Sequence, residues 1–99
     1  MIRHIVSWKL AAEDAAGKDA AAATITETLE GLVPLIPEIL ELRVGRNVAY
    51  PETNFDLVLV ADYASLEALE AYQVHPEHQR AVGIIKPLVA SRANVDFEV

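Results

Sequence analysis

Alternating apolar and polar positions predict four β-strands in this chain. From Ile2 to Leu10 one set of alternate residues is apolar except for His4, which is typical of a strand with one buried face. The same reasoning predicts strands over residues 38–46, 55–63 and 93–99. The third of these is apolar on both faces at its centre, so we expect both faces to be buried.

Between these strands, the spacing of apolar residues predicts three helices. An alanine-rich segment over residues 14–33 has apolar residues spaced close to 3.6 apart and predicts the first helix. A shorter helix is predicted over residues 66–73, with Ser65 as its N-cap. Pro76 prevents this helix from continuing and suits the first position of another, predicted over residues 76–86.

The resulting order is β-α-β-β-α-β, which predicts a single α+β domain over residues 1–99 with a ferredoxin-like fold. Both helical regions of this fold pack on one face of an antiparallel sheet. The other face would expose Ile5, Val58 and Val60 to water in a monomer, which soluble proteins avoid. We therefore expect a homodimer in which two sheets meet through this face.

Composition narrows the classes of partner. The chain carries 15 acidic and 8 basic residues, for a net charge of −7, and no basic cluster. These features argue against nucleic acid and against an anionic membrane surface, both of which require basic residues. The absence of cysteine excludes disulfides and thiolate sites. No signal peptide or transmembrane run is recognisable, so we expect a cytoplasmic protein.

Three polar aromatic side chains are expected to meet beneath the helices. Tyr72 follows the apolar stripe of the second helix, and His78 begins the inward stripe of the third. His4 shares its strand face with Val6 and Trp8. Ligand pockets combine apolar walls with a few polar groups, and this convergence predicts such a pocket.

The predicted pocket suits proton transfer at a carbon atom. A neutral His78 can accept a proton from an activated carbon, and burial favours the neutral form by lowering the imidazole pKa. Tyr72 can donate a hydrogen bond to the enolate oxygen that develops. The predicted catalytic residues are therefore His78 and Tyr72. The predicted ligand-binding residues are His4, Val6, Trp8, Leu59 and Asp96.

Each of these residues also has a structural interpretation. His4 can be a hydrogen-bonded core histidine, Tyr72 a core aromatic, and Asp96 an edge carboxylate or the partner of an imidazole. His75 suits a turn or an N-cap. The spacing of His75 and His78 matches two metal ligands on a helix, but Pro76 should turn them apart, so neither a metal site nor a cofactor is predicted.

Four segments of the chain resemble the stress-responsive α/β-barrel (Dabb) family. They are MIRHIVSWKL, LRVGRNVA, YQVHPEHQRAV and VDFEV, and the resemblance covers essentially the whole chain. It implies a ferredoxin-like protomer and a dimeric α+β barrel. A plant polyketide cyclase of this family is similar at the site: the resemblance matches its base to His78 and its tyrosine to Tyr72. It also matches His4 to a further pocket histidine and Asp96 to a carboxylate near the base.

Three functions follow as hypotheses. The first is a stress-associated homodimer that binds a small organic ligand in an apolar pocket, with structural histidines. The second is a cofactor-independent cyclase or lyase with His78 as general base and Tyr72 as oxyanion donor. The third is a cofactor-free monooxygenase, since such enzymes also use dimeric ferredoxin-like barrels.

Overall fold

The computed structural model describes all 99 residues as four strands and three α-helices, with a short 3₁₀ turn over Lys86–Leu88. The elements in chain order are β1 (Ile2–Leu10), α1 (Ala15–Glu30), β2 (Glu41–Arg46), β3 (Leu57–Tyr63), α2 (Leu66–Val74), α3 (Pro76–Ile85) and β4 (Val89–Glu98). The sheet is antiparallel with strand order β2-β3-β1-β4. This is the ferredoxin-like α+β fold, and the predicted fold is confirmed.

Side-chain caps begin each helix. The Asp14 carboxylate accepts from the backbone N–H of Gly17 at 3.2 Å, and the Ser65 hydroxyl accepts from Ala68 at 3.1 Å. Each bond satisfies one of the N–H groups that the first turn of a helix leaves free. Asp14 and Ser65 therefore define where α1 and α2 begin.

Three element boundaries differ from those expected by three or more residues. Helix α1 ends at Glu30 instead of residue 33, because the residue before Pro34 resists helical geometry and residues 31–35 form turns. Strand β2 begins only at Glu41, since these turns continue up to Ile39 and bury that side chain. Strand β4 begins at Val89, four residues earlier than expected, and this extension adds a residue to the site described below.

The core lies between the helices and one face of the sheet. Helix α1 contributes Ile25 and Leu29, which pack with inward residues of β1 and β3 such as Val6 and Leu59, all almost fully buried. The spacing of Leu66, Leu69 and Tyr72 places them on one stripe of α2, but only the last two are buried and Leu66 is 65% exposed. No helix in the structure is both long and apolar enough to cross a bilayer.

The opposite face of the sheet has no helix over it, and we call it the open face. Register places Ile5 of β1 between Val60 of β3 and Val95 of β4, so these three side chains form an apolar row. Val95 is 61% exposed and its neighbour Phe97 is 42% exposed. The expected burial of both faces of β3 is thus complete only on the helix side, since Val60 is half-buried in one chain.

Candidate functional site

A cavity of about 290 Å³ opens between α3, the end of α2 and the helix side of the sheet. Nine of its 14 lining residues are hydrophobic, so the cavity has the apolar walls typical of a ligand pocket. Six of the seven site residues expected from the sequence line it, and the seventh, Asp96, does not. The six are His4, Val6, Trp8, Leu59, Tyr72 and His78.

Four aromatic rings form a connected cluster at one wall of this cavity. The ring centroids of Tyr72 and His78 are 4.4 Å apart, and those of Tyr72 and Tyr63 are 5.0 Å apart. His4 meets both tyrosines edge-on, at 6.2 Å from Tyr63 and 6.3 Å from Tyr72. Two imidazoles and two phenols therefore share a single buried neighbourhood.

The break between α2 and α3 fixes the proton position on His78. In a continuous helix the Gln73 carbonyl would accept from residue 77 or 76, but the Glu77 N–H goes to His75 Nδ1 and Pro76 has no N–H. The freed carbonyl accepts from His78 Nδ1 at 3.0 Å and from the Gln79 amide at 2.7 Å. A carbonyl only accepts, so Nδ1 of His78 carries the proton.

His78 is consequently equipped to act as a base through Nε2. Burial lowers the pKa of His78, and the charges of His4 and Arg92 lower it further, although the Gln73 bond opposes them. The imidazole is therefore neutral at neutral pH. With Nδ1 protonated, the lone pair of the neutral ring lies on Nε2. The combination of tautomer and lowered pKa is what a general base near neutral pH requires.

His4 is held by a carboxylate from the neighbouring strand. Register pairs His4 of β1 with Asp96 of β4, and residues paired in this way point to the same side of a sheet. The Nδ1–H of His4 donates to Asp96 Oδ1 in a short contact. Asp96 thus orients the imidazole from behind, and Nε2 is the remaining nitrogen of the His4 ring.

The hydroxyls of Tyr63 and Tyr72 are the two buried side-chain groups without a hydrogen-bond partner. They influence each other's ionisation, yet their geometry does not form a hydrogen bond. Burial raises the pKa of both phenols, so both stay protonated as donors. Tyr72 lines the cavity, but its hydroxyl is buried.

His75 stands apart from this cluster. Its Nδ1 accepts from the Glu77 N–H at 3.1 Å and so caps α3, which is the structural interpretation given above. The two histidines therefore make different backbone contacts: Nδ1 of His75 accepts from Glu77, whereas Nδ1 of His78 donates to Gln73. No group of three or more histidine, aspartate or glutamate side chains is placed to hold a metal ion.

Comparison with protein families identifies the chain. The profile of the stress responsive A/B barrel domain, Dabb, matches residues 2–99. The chain belongs to the Dabb family. The comparison with curated proteins finds no match.

Solved structures similar to this Dabb chain have the same fold. A dimeric ferredoxin-like protein of unknown function from Bacteroides fragilis is 30% identical, with a TM-score of 0.88 over 99% of this chain and 95% of that one. One from Thermobifida fusca, also dimeric and of unknown function, is 31% identical, with a TM-score of 0.80 over 99% and 90%. Hydroxynitrile lyase from Passiflora edulis shares the fold at 15% identity, with a TM-score of 0.76 over 97% and 90%.

Sequence reasoning missed several residues of the cavity and of the aromatic cluster beside it. Tyr63 continues the inward alternation of β3 after Leu59, and this pattern was sufficient to find it. Arg92 alternates with Asp96 on β4 but fell outside the strand as it was predicted. Lys86, at the end of α3, carries no pattern that marks it as a pocket residue. The Gln73 carbonyl belongs to the main chain, where side-chain patterns give no direct signal.

Proposed function

We propose that this Dabb protein binds a small organic carbonyl compound in the cavity and removes a proton from the carbon beside the carbonyl. His78 Nε2 accepts that proton as the C–H bond breaks. The electron pair moves onto the carbonyl oxygen to give an enolate, and the Tyr72 hydroxyl donates a hydrogen bond to it. The observation that carries the proposal is the neutral His78, with Nδ1 bound to Gln73 and Nε2 left as the basic nitrogen.

The unpartnered hydroxyls support a role for Tyr72. A buried hydroxyl without a partner costs roughly 1–3 kcal/mol, and a ligand oxygen that reaches it would remove this cost. The Tyr72 hydroxyl is covered by its neighbours, so a neighbouring side chain must shift as the ligand binds. Binding and exposure of the oxyanion donor would then occur together.

Proton exchange with solvent tests the proposal directly. A panel of small aliphatic ketones is incubated in D₂O with the protein, and loss of the proton beside the carbonyl is followed by NMR. We expect accelerated exchange that His78→Gln lowers by about 10²–10⁴-fold, the usual contribution of a general base. Tyr72→Phe should lower it by about 10²-fold, as expected for the loss of one oxyanion donor.

His75→Asn provides the matched control. It removes an imidazole three positions from His78 and keeps an N-cap on α3, because asparagine is as good a cap as any residue. Exchange should therefore remain at the wild-type rate. Equal exchange by His78→Gln and wild type would contradict the proposal.

A second function, ligand binding without chemistry, is favoured by one observation. The bond from His78 to the Gln73 carbonyl ties α3 to the end of α2, so this histidine also has a structural task. If binding alone is the function, ketones will bind without exchange, and His78→Gln will lower the free energy of unfolding with no kinetic effect. Measuring both quantities on the same variant separates the two functions.

We also propose that two copies associate through the open face. Similar structures from Bacteroides fragilis and Thermobifida fusca are dimeric, which supports a dimeric α+β barrel for this chain. The exposed apolar row of Ile5, Val60 and Val95 supplies a surface suited to burial against a second copy. The cavity lies on the other side of the sheet, so the proposed interface leaves it accessible.

A further inference from the structure

The charge of the cavity is opposite to that of the molecule. The chain has 15 acidic and 8 basic residues, yet the 14 residues that line the cavity include Lys86 and Arg92 and no acidic residue. Asp96 binds His4 and does not line the cavity. An anion repelled by the surface as a whole therefore meets a local positive charge here.

Neither of these two cations has a partner in the protein. Of the other six basic side chains, five make a hydrogen bond or ion pair. Examples are the ion pairs of Arg46 with Asp19 and of Arg80 with Glu77. Lys86 and Arg92 make none, and the third free cation, Arg43, lies across the sheet on the open face. Two of the three free cations are thus placed at one cavity in an acidic chain.

The fold explains how Arg92 reaches the cavity. Register pairs Arg92 of β4 with Trp8 of β1, so both side chains lie on the helix side of the sheet. The positive charge of Arg92 lowers the pKa of His78. Lys86 approaches from the end of α3, directly before Pro87. Both residues are exposed, so their charged ends lie at the mouth of the cavity.

We propose that the ligand carries a carboxylate, which Arg92 and Lys86 hold at the mouth while its apolar part occupies the cavity. A guanidinium binds a carboxylate through two parallel hydrogen bonds, and a lysine adds a point charge. The inference concerns the same cavity as the proposed function and names its substrate class. The reacting carbonyl then lies further in, beside His78, so the substrate class is a keto acid.

Binding of two matched probes tests this without any chemistry. Hexanoate and hexanamide differ in charge but hardly in shape, and Trp8, the only tryptophan, lines the cavity and reports occupancy by its fluorescence. We expect hexanoate to bind about five- to tenfold more tightly at low ionic strength, as two exposed ion pairs allow. Salt should reduce this preference, since exposed charges are screened. Pentylphosphonate serves as a third probe: binding much tighter than that of hexanoate would overturn the choice of a carboxylate.

Variants assign the preference to the two residues. The double change Arg92→Gln and Lys86→Gln should abolish the preference for hexanoate and leave the affinity for hexanamide unchanged. Arg80→Gln removes the same charge from the exposed side of α3 and should keep the preference. A preference that survives in the double variant would overturn the proposal, as would equal affinity of the two probes for wild type or failure of hexanoate to bind. These results are independent of proton exchange, so either proposal can fail alone.

Discussion

The two sides of strand β4 differ in chemical character. Toward the helices it presents Arg92 and Asp96, while toward the open face it presents Val95 and Phe97. An isolated protomer would therefore expose the apolar side of its edge strand and keep the charged side on the face that carries the helices. The difference teaches that the two faces have separate tasks: the helix side forms a site, and the open side is suited to association.

The largest effect is expected from a charge placed on the open face. Ile5→Asp would bury a carboxylate between two sheets, with the apolar Val60 and Val95 on either side of it, at a cost of roughly 3 kcal/mol or more. We expect the dissociation constant of the dimer to rise by about 10²-fold or more, as measured by sedimentation equilibrium. Ile5→Val, of similar shape, should have a much smaller effect. A dimer that tolerates Ile5→Asp would place the interface elsewhere.

Two neighbouring residues of β3 sharpen the comparison, because they point to opposite sides. Leu59 is 2% exposed on the helix side, and its change to alanine should lower the free energy of unfolding by about 2–4 kcal/mol at any protein concentration. Val60→Ala should lower stability mainly at concentrations at which dimers form. Denaturant unfolding over a range of concentrations measures both. Equal, concentration-independent losses would remove the distinction.

A smaller effect, of opposite sign, is expected from Tyr63 on the helix side. Its buried hydroxyl lacks a partner, so Tyr63→Phe should raise the free energy of unfolding by about 1 kcal/mol. Tyr50→Phe, at a position that is 75% exposed, should leave stability unchanged. If Tyr63→Phe is destabilising, the hydroxyl has a partner in solution.

The smallest effect concerns the pH dependence of stability. The pKa of His78 is lower in the folded protein than the ordinary 6.5, so the unfolded chain takes up its proton first as the pH falls. The contribution of His78 is complete above about pH 6.5 and is lost as the pH falls through 6.5 toward the folded pKa. The slope of unfolding free energy against pH should be shallower in His78→Gln below this point. An NMR titration that gives His78 a pKa above 6.5 would reverse the sign.

Side-chain alternation predicted a strand correctly where one face of that strand is buried. β1 shows this best, since its alternate residues are buried without exception from Ile2 to Leu10. β4 was harder to place, because its polar side faces the pocket and its apolar side faces outward, so no single buried face marks its start. Arg92 was missed for that reason. Turns between α1 and β2 bury Ile36 and Ile39 outside any regular element, where periodicity gives no boundary.

The sequence indicated most of the residues that line the cavity, but it did not indicate which atoms of these residues are in contact. The spacing around Pro76 was enough to direct Tyr72 and His78 toward one space, and the structure brings them to 4.4 Å between ring centroids. Whether the Tyr72 hydroxyl is open or covered depends on how Tyr63 packs beside it, and that is a property of three-dimensional packing. The catalytic and ligand-binding roles remain predictions for the experiments above.

The carbonyl of Gln73 gives the helix break an unusual consequence for mutational work. Because the group that orients His78 is part of the main chain, substituting every side chain around the cavity would leave it in place. Position 76 offers access: Pro76→Ala would let the helix continue, so that the backbone N–H groups of residues 76 and 77 compete with the imidazole for the same oxygen. A residue that never touches a ligand would thereby decide which nitrogen of the ring is basic.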